Sequence, residues 1–357
     1  MSRVPMPPEI TPPPPPPPLR LKLDEEALTD NWRALAMLSG KARAGAAVKA
    51  DGYGLGARRV VKALAGAGCA DFFVAHWSEA AEIADLVSPA SISVLHGPMN
   101  VAEAAYGRAL GVRAVINTPA QARHWLEAGG GPCDVMVDTG INRIGLTMEA
   151  LSDPAVRQLQ VQVLLSHLAS ADDESSPLND VQRQRWEEAR RIVAAPRASL
   201  ANSAGITLGA AYHGELTRPG LALYGGVPCA ALAQHIRQVA RPQAMLLQVR
   251  QIAAGDNIGY NATFTASRAM RVGVISLGYA DGYLRSWSGK GMMRSGGADL
   301  PVLGRVSMDM TVIDLSAALA LEEGDWVDVD YDLPRAAADS GLSQYELLTL
   351  LGLRFTR

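Results

Sequence analysis

The sequence predicts an α/β fold: a (β/α)₈ barrel over residues 19–232, followed by a mostly β-strand C-terminal domain over residues 233–357. Three observations predict it. Eight short apolar runs alternate with amphipathic stretches between Leu28 and Gly225. The runs are nearly continuous in apolar character, as in parallel strands covered on both faces. Beyond about Pro228 the texture changes to short strands punctuated by Gly and Asp-Gly turns. A length of 357 residues, 48% of them apolar and 19% charged, supplies core for two domains.

Residues 1–18 precede the fold as a proline-rich tail, with Pro12 to Pro18 unbroken. Such a run favours solvated polyproline II without a packed core. The residues just after it are expected to form a strand that joins the C-terminal domain. The barrel strands are then AAVK (46–49), DFFVA (71–75), SISVLH (91–96), RAVIN (113–117), CDVMVD (133–138), VQVLLSHL (161–168), ASLAN (198–202) and LALYG (221–225). Between them, residues 57–67 and 79–87 carry apolar residues at helical spacing. Thr118 is placed to cap a helix that opens with Pro119, and Asn179 to cap the charged helix after it. In the second domain, residues 244–266, 270–283 and 299–316 read as strand and turn, and SQYELLTLLG (343–352) as a closing helix.

Composition excludes several functions. The formal charge is −3, from 33 basic and 36 acidic residues, which disfavours a nucleic-acid partner. Cys69, Cys133 and Cys229 are too widely spaced for a disulfide framework or a Cys-x-x-Cys metal site, so no metal is expected. The start has no signal-peptide core, and no apolar stretch reaches membrane-spanning length. A reducing, cytoplasmic compartment is the expectation.

In a (β/α)₈ barrel the reactive groups sit where strands end. Lys49 ends the first strand and runs into ADGYGLGA. Position alone would make it a surface lysine. Gly52, Gly54 and Gly56 favour a ligand instead, because they permit tight turning and close backbone approach. A desolvated lysine loses proton affinity, and its free amine can form a Schiff base.

VKADGYGLGA resembles the pyridoxal-phosphate lysine motif of the alanine racemases, a fold-type III family. The resemblance continues in order through VDTGINRIG (137–145), SHLASAD (166–172), LANSAG (200–205), TRPGLALYG (217–225), IGYNATF (258–264), LGYADGY (277–283) and RVSMDM (305–310). It runs from about Leu19 to the C-terminus.

The resemblance implies pyridoxal 5'-phosphate attached through Lys49, with the phosphate held by Tyr53, Ser203, Gly220, Leu221 and Tyr345. From sequence alone Ser203 could equally cap a helix, and Leu221 reads as core. Arg218 would face the pyridine nitrogen and, being always charged, leave that nitrogen unprotonated and the electron sink shallow. His167 would lie beside the ring.

Racemisation requires acid/base groups on both faces of the α-carbon. The resemblance gives one face to Lys49 and the other to Tyr279 of the partner subunit, in a head-to-tail homodimer with shared sites. A free tyrosine, with a pKa of about 10, is a poor base, so this role needs an environment that draws its proton off. Arg143 and the backbone N–H of Met308 would hold the substrate carboxylate, although the Met308 side chain reads as core. Asp309 would orient its neighbours.

One position departs from the family. Many members carry a carbamylated lysine where this chain has Met136. The implied activity is interconversion of L- and D-alanine, supplying D-alanine for peptidoglycan. A racemase that also accepts serine, a decarboxylase and a non-enzymatic cofactor carrier are the alternatives. Arg218 argues against the decarboxylase, and the second domain against the carrier.

Overall fold

The computed structural model describes residues 15–352 and 354–356. The expected polyproline tail therefore falls mostly outside the described residues.

Seven parallel strands follow one another around the first domain: Ala46–Ala47, Phe72–Val74, Ile92–Val94, Arg113–Ile116, Pro132–Met136, Gln160–Leu165 and Arg197–Ser199. The three from Phe72 to Ile116 are buried at every position, which is why their sequences lack alternation. The eighth strand is a correction. LALYG is a 3₁₀ turn over Leu221–Tyr224, and the closing strand is Leu216–Thr217, paired in parallel with Arg43–Ala44. Closure continues as Ala47 N–H donates to the Pro219 carbonyl (2.9 Å) and Arg218 N–H to the Ala201 carbonyl (2.9 Å). Both segments are apolar and buried, and a run this short does not distinguish a strand from a buried turn.

The helix at Ala57–Ala67 matches its periodicity, whereas the one expected at residues 79–87 spans Trp77–Ile83. Thr118 accepts the Gln121 N–H (3.1 Å) with Pro119 at the first helical position. Asn179 is not a cap. Its helix begins earlier, at Pro177 after Ser176, because proline is pre-set for a first turn. Asn179 lies buried within that turn and donates to the Asp173 carbonyl (2.9 Å).

The barrel interior is filled by Phe73, Val115, Met136, Val163, Leu165 and Leu216. Beneath them, at the strand starts, buried Arg113 bridges Asp134 (3.1 Å) and Asp71 (3.5 Å), and Arg197 joins Asp71 (2.9 Å). This ionic floor closes one end and leaves the strand ends to form the site.

The second domain is a closed antiparallel ring of Ala240–Ile252, Met270–Ile275, Thr311–Asp314, Ala298–Leu303, Met292–Ser295 and Trp326–Val329, with the last returning to the first. The long first strand serves both sides of the ring by bulging at Leu247, where its register shifts. Leu19–Leu23 pairs with the same strand, so the described chain starts on the second domain before entering the barrel. Two helices, Leu333–Ser340 and Gln344–Thr349, complete the domain. The Gln344 side chain bonds both backbone groups of Val227 (2.8 and 3.0 Å) and so holds the last helix against the barrel mouth.

Candidate active site

A cavity of about 630 Å³ opens at the strand ends, within the range of small-ligand sites. Nine of the residues implied by the motifs line it: Lys49, Tyr53, Arg143, His167, Ser203, Arg218, Gly220, Leu221 and Tyr345.

Lys49 follows the first strand directly. After it the backbone turns left-handed for five residues, Ala50 to Gly54, with φ between 52° and 82°. Ala50, Asp51 and Tyr53 carry side chains there, at about 1–2 kcal/mol each. The turn is held by Gly52 N–H to the Val48 carbonyl (2.9 Å), Gly54 N–H to the Ala50 carbonyl (2.8 Å) and Ala57 N–H to Asp51 (2.7 Å). Burial, then the cations of Arg143 and Arg218, lower the Lys49 amine below its ordinary pKa, and Glu79 partly opposes them. A larger fraction of the amine is therefore unprotonated and nucleophilic.

Arg218 is buried, and its guanidinium donates to the Ser199 carbonyl (2.8 Å) and the Ser166 carbonyl. Desolvation pushes its pKa down to about 10, so it remains a cation at neutral pH. His167 is pushed down to about 3 by burial and by Arg218, Arg143 and Lys49, and is a neutral imidazole there.

Arg143 is presented by a loop wound around one carboxylate. Asp138 Oδ1 accepts the N–H groups of Gly140 (2.8 Å), Ile141 (3.1 Å) and Asn142 (3.2 Å). Met136 lines the same cavity with an apolar side chain, so no amine is available for carbamylation at that position.

Ser203 corrects its sequence reading as a cap. Asn202 takes the Gly205 N–H (2.9 Å), which leaves Ser203 Oγ to accept from Gly220 N–H (2.9 Å) and Ala222 N–H (3.3 Å). A Cβ on Gly220 would sit 2.4 Å from the Tyr53 hydroxyl. Hydroxyls and backbone amides thus converge on a concavity that only glycine leaves open, a donor set suited to a phosphate. Burial raises the Tyr53 pKa, which keeps its hydroxyl a donor. Stacking on Tyr224 at 4.5 Å fixes its ring, and Tyr345 approaches at 6.2 Å from the C-terminal helix. With the Lys49 amine suited to an aldehyde and the Arg218 cation to an unprotonated ring nitrogen, these residues fit pyridoxal 5'-phosphate.

Tyr279 and Met308 do not line this cavity within one chain. They lie together in the second domain, where Tyr279 N–H donates to the Ser307 carbonyl and Ala280 N–H to the Met308 carbonyl (3.0 Å each). Tyr279 borders a separate cleft with Leu284 and Leu342, and the Arg285 guanidinium lies 5.2 Å from its ring centroid. Met308 is 53% exposed, which corrects its reading as core, since it stands on a turn outside the strand ring. Asp309 pairs with Arg354 (2.7 Å), which also binds Asp281 (2.7 Å).

Two groups close to Lys49 were missed from sequence. His96 follows the third strand by two residues, and its place just past a strand end would have flagged it. Glu79 reads from sequence as an ordinary helix residue, and no local signal reveals its contact with the lysine turn. Among the described residues no helix is long and apolar enough to cross a membrane.

A lysine-bearing barrel with a phosphate cradle, joined to an antiparallel β domain, defines a pyridoxal-phosphate enzyme of the barrel type. Comparison with known proteins narrows this. The sequence profile of the alanine racemase N-terminal domain matches residues 23–228, and that of the C-terminal domain residues 239–357. The chain is 40% identical to the biosynthetic alanine racemase of Agrobacterium fabrum, over 95% of this chain and 93% of that protein. It is 38% identical to a catabolic alanine racemase of Rhizobium johnstonii, over 94% and 93%. Among solved structures it resembles the alanine racemase of Bartonella henselae with covalently bound pyridoxal phosphate, with a TM-score of 0.86 and 32% identity over 96% of this chain and 99% of that one. The biosynthetic enzyme of Pseudomonas aeruginosa gives a TM-score of 0.84 at 34% identity over the same shares. The chain belongs to the alanine racemase family and is a pyridoxal-phosphate-dependent racemase, an isomerase. The decarboxylase and carrier readings are set aside.

Proposed function

We propose that this protein interconverts L- and D-alanine by two-base proton transfer, in the cytoplasm, and supplies D-alanine for peptidoglycan. The observation that carries the mechanism is the separation of its two bases. Lys49 stands in the cavity beside Arg218 and His167, while Tyr279 is presented elsewhere by the second domain. A second copy of the chain, arranged head to tail, would bring its Tyr279 to the face opposite Lys49.

Tyr53, Ser203, Gly220, Leu221 and Tyr345 would hold the cofactor phosphate, Lys49 its aldehyde and Arg218 its ring nitrogen. When bound, pyridoxal phosphate supplies the electron-withdrawing ring that acidifies the substrate α-carbon. Lys49, its proton affinity lowered, moves the α-proton on one face. The partner subunit's Tyr279 moves it on the other. Arg143 and the N–H of Met308 of the partner subunit bind the carboxylate and fix the α-carbon between them. Arg218 stays a cation and donates, so it leaves the ring nitrogen without a proton and limits competing chemistry.

Incubation of the purified protein with L-alanine should yield D-alanine and no carbon dioxide. Lys49→Ala should lose cofactor absorbance and activity together. Tyr279→Phe should keep the absorbance and lose turnover by about 10²-fold or more. Normal racemisation by Tyr279→Phe would sink the two-base assignment.

A further inference from the structure

The left-handed run from Ala50 to Gly54 sets the direction of Lys49, yet it is sterically costly at each residue that bears a Cβ. Such a turn persists only where its surroundings hold it. Glu79, at the start of the second barrel helix, reaches across to it. Its Oε1 accepts the N–H of Ala50, the residue next to Lys49, at 2.7 Å. Its Oε2 accepts the N–H groups of Ala75 (2.6 Å) and His76 (3.2 Å), where the second strand passes into its helix. One half-buried carboxylate thus ties the ends of two barrel strands with three charge-assisted hydrogen bonds.

We propose that Glu79 is a positioning residue for the racemase reaction: its carboxylate bridges the first and second strand ends and holds the Lys49 turn so that the amine points into the cavity. The proposal rests on the role given to Lys49 above. Glu79 is also the acidic member of the group facing that amine, against Arg143 and Arg218, with His96 and His167 nearby. It therefore favours the ammonium form and partly offsets the fall in the lysine's proton affinity caused by burial and Arg143. A helix-capping box at His76 explains the His76 contact but not the bonds to Ala75 and Ala50.

Two substitutions separate the bridge from the charge. Gln has one acceptor oxygen, which should settle where two N–H donors wait, at Ala75 and His76, and release Ala50. Asp keeps the charge but is one methylene too short to span both strand ends. Hydrogen exchange on the cofactor-loaded enzyme, followed in peptides covering residues 46–56 and 77–83, reads the backbone directly. In both Glu79→Gln and Glu79→Asp, exchange across residues 48–54 should rise about tenfold or more. In both, kcat should fall by about tenfold with KM changed by less than about threefold. The limb of the kcat pH profile belonging to Lys49 should move to lower pH in Glu79→Gln only, because only that change removes the anion.

Wild-type exchange across residues 48–54, with or without loosening of Trp77–Ile83, overturns the proposal and leaves Glu79 a helix cap. If Lys49→Ala is inactive while both Glu79 variants behave as wild type, Glu79's role falls and the two-base reading stands. Racemisation by Lys49→Ala overturns both.

Discussion

Lys49, Arg218 and His167 share one cavity, and burial lowers the proton affinity of all three, with neighbouring cations adding to the effect at Lys49 and His167. The cations of Arg218 and Arg143 lower the Lys49 amine and, with Lys49, hold the His167 imidazole neutral. His167 makes the pH dependence explicit. Its folded pKa, about 3, lies below the ordinary value of 6.5, so below pH 6.5 the unfolded chain binds a proton that the native chain refuses. The contribution of this residue is complete above pH 6.5 and is lost as pH falls toward 3. Denaturant unfolding of the unloaded protein should show a slope of at most about 1.4 kcal/mol per pH unit from this source. His167→Asn should flatten that part of the profile, and an unchanged slope would place the acid sensitivity elsewhere. Met136 works differently, since its apolar side chain offers Arg143 no charged partner. Both residues were legible as positions in motifs. Their protonation and pairing were not, because those depend on groups brought in from other strands.

The turn after Lys49 was legible at the scale of the element through its glycines, although not its handedness or what holds it. Gly54 has φ +82°, and a Cβ there would lie 2.5 Å from the Leu348 carbonyl oxygen in the C-terminal helix. Gly54→Ala combines a left-handed penalty with a backbone clash and should destabilise by about 2 kcal/mol or more. Chemical denaturation together with cofactor affinity would check it. Unchanged values for both would mean that the turn and the helix are not coupled. The strands were read correctly where burial on both faces leaves a continuous apolar run, as at Phe72–Val74. The eighth was misassigned because Leu216–Thr217 is only two residues long and owes its place to Arg43–Ala44, far away in sequence. Asn179 failed as a cap for a local reason, since Pro177 starts the helix before it.

For the whole molecule, the segregation of Tyr279 and Met308 from Lys49 predicts that activity belongs to pairs of chains. Mixed Lys49→Ala and Tyr279→Phe chains should recover about a quarter of wild-type activity, because half of random pairs are hybrids with one intact site each. Each variant alone should remain inactive, and recovery should fall on dilution. No recovery after verified chain exchange would show that each site draws both bases from one chain.

By itself the sequence determined the strand-helix alternation, the lysine at a strand end, the glycine-rich turn and the ordered motifs, because each is a local pattern of apolar spacing or backbone freedom. Only the tertiary structure decided which segment closes the barrel, that Ser203 turns to Gly220 while Asn202 caps, that Glu79 grips the lysine turn, and that Tyr279 lies outside its own chain's cavity. Those outcomes depend on contacts between residues distant in sequence, whose geometry is set by barrel closure and by packing of the two domains.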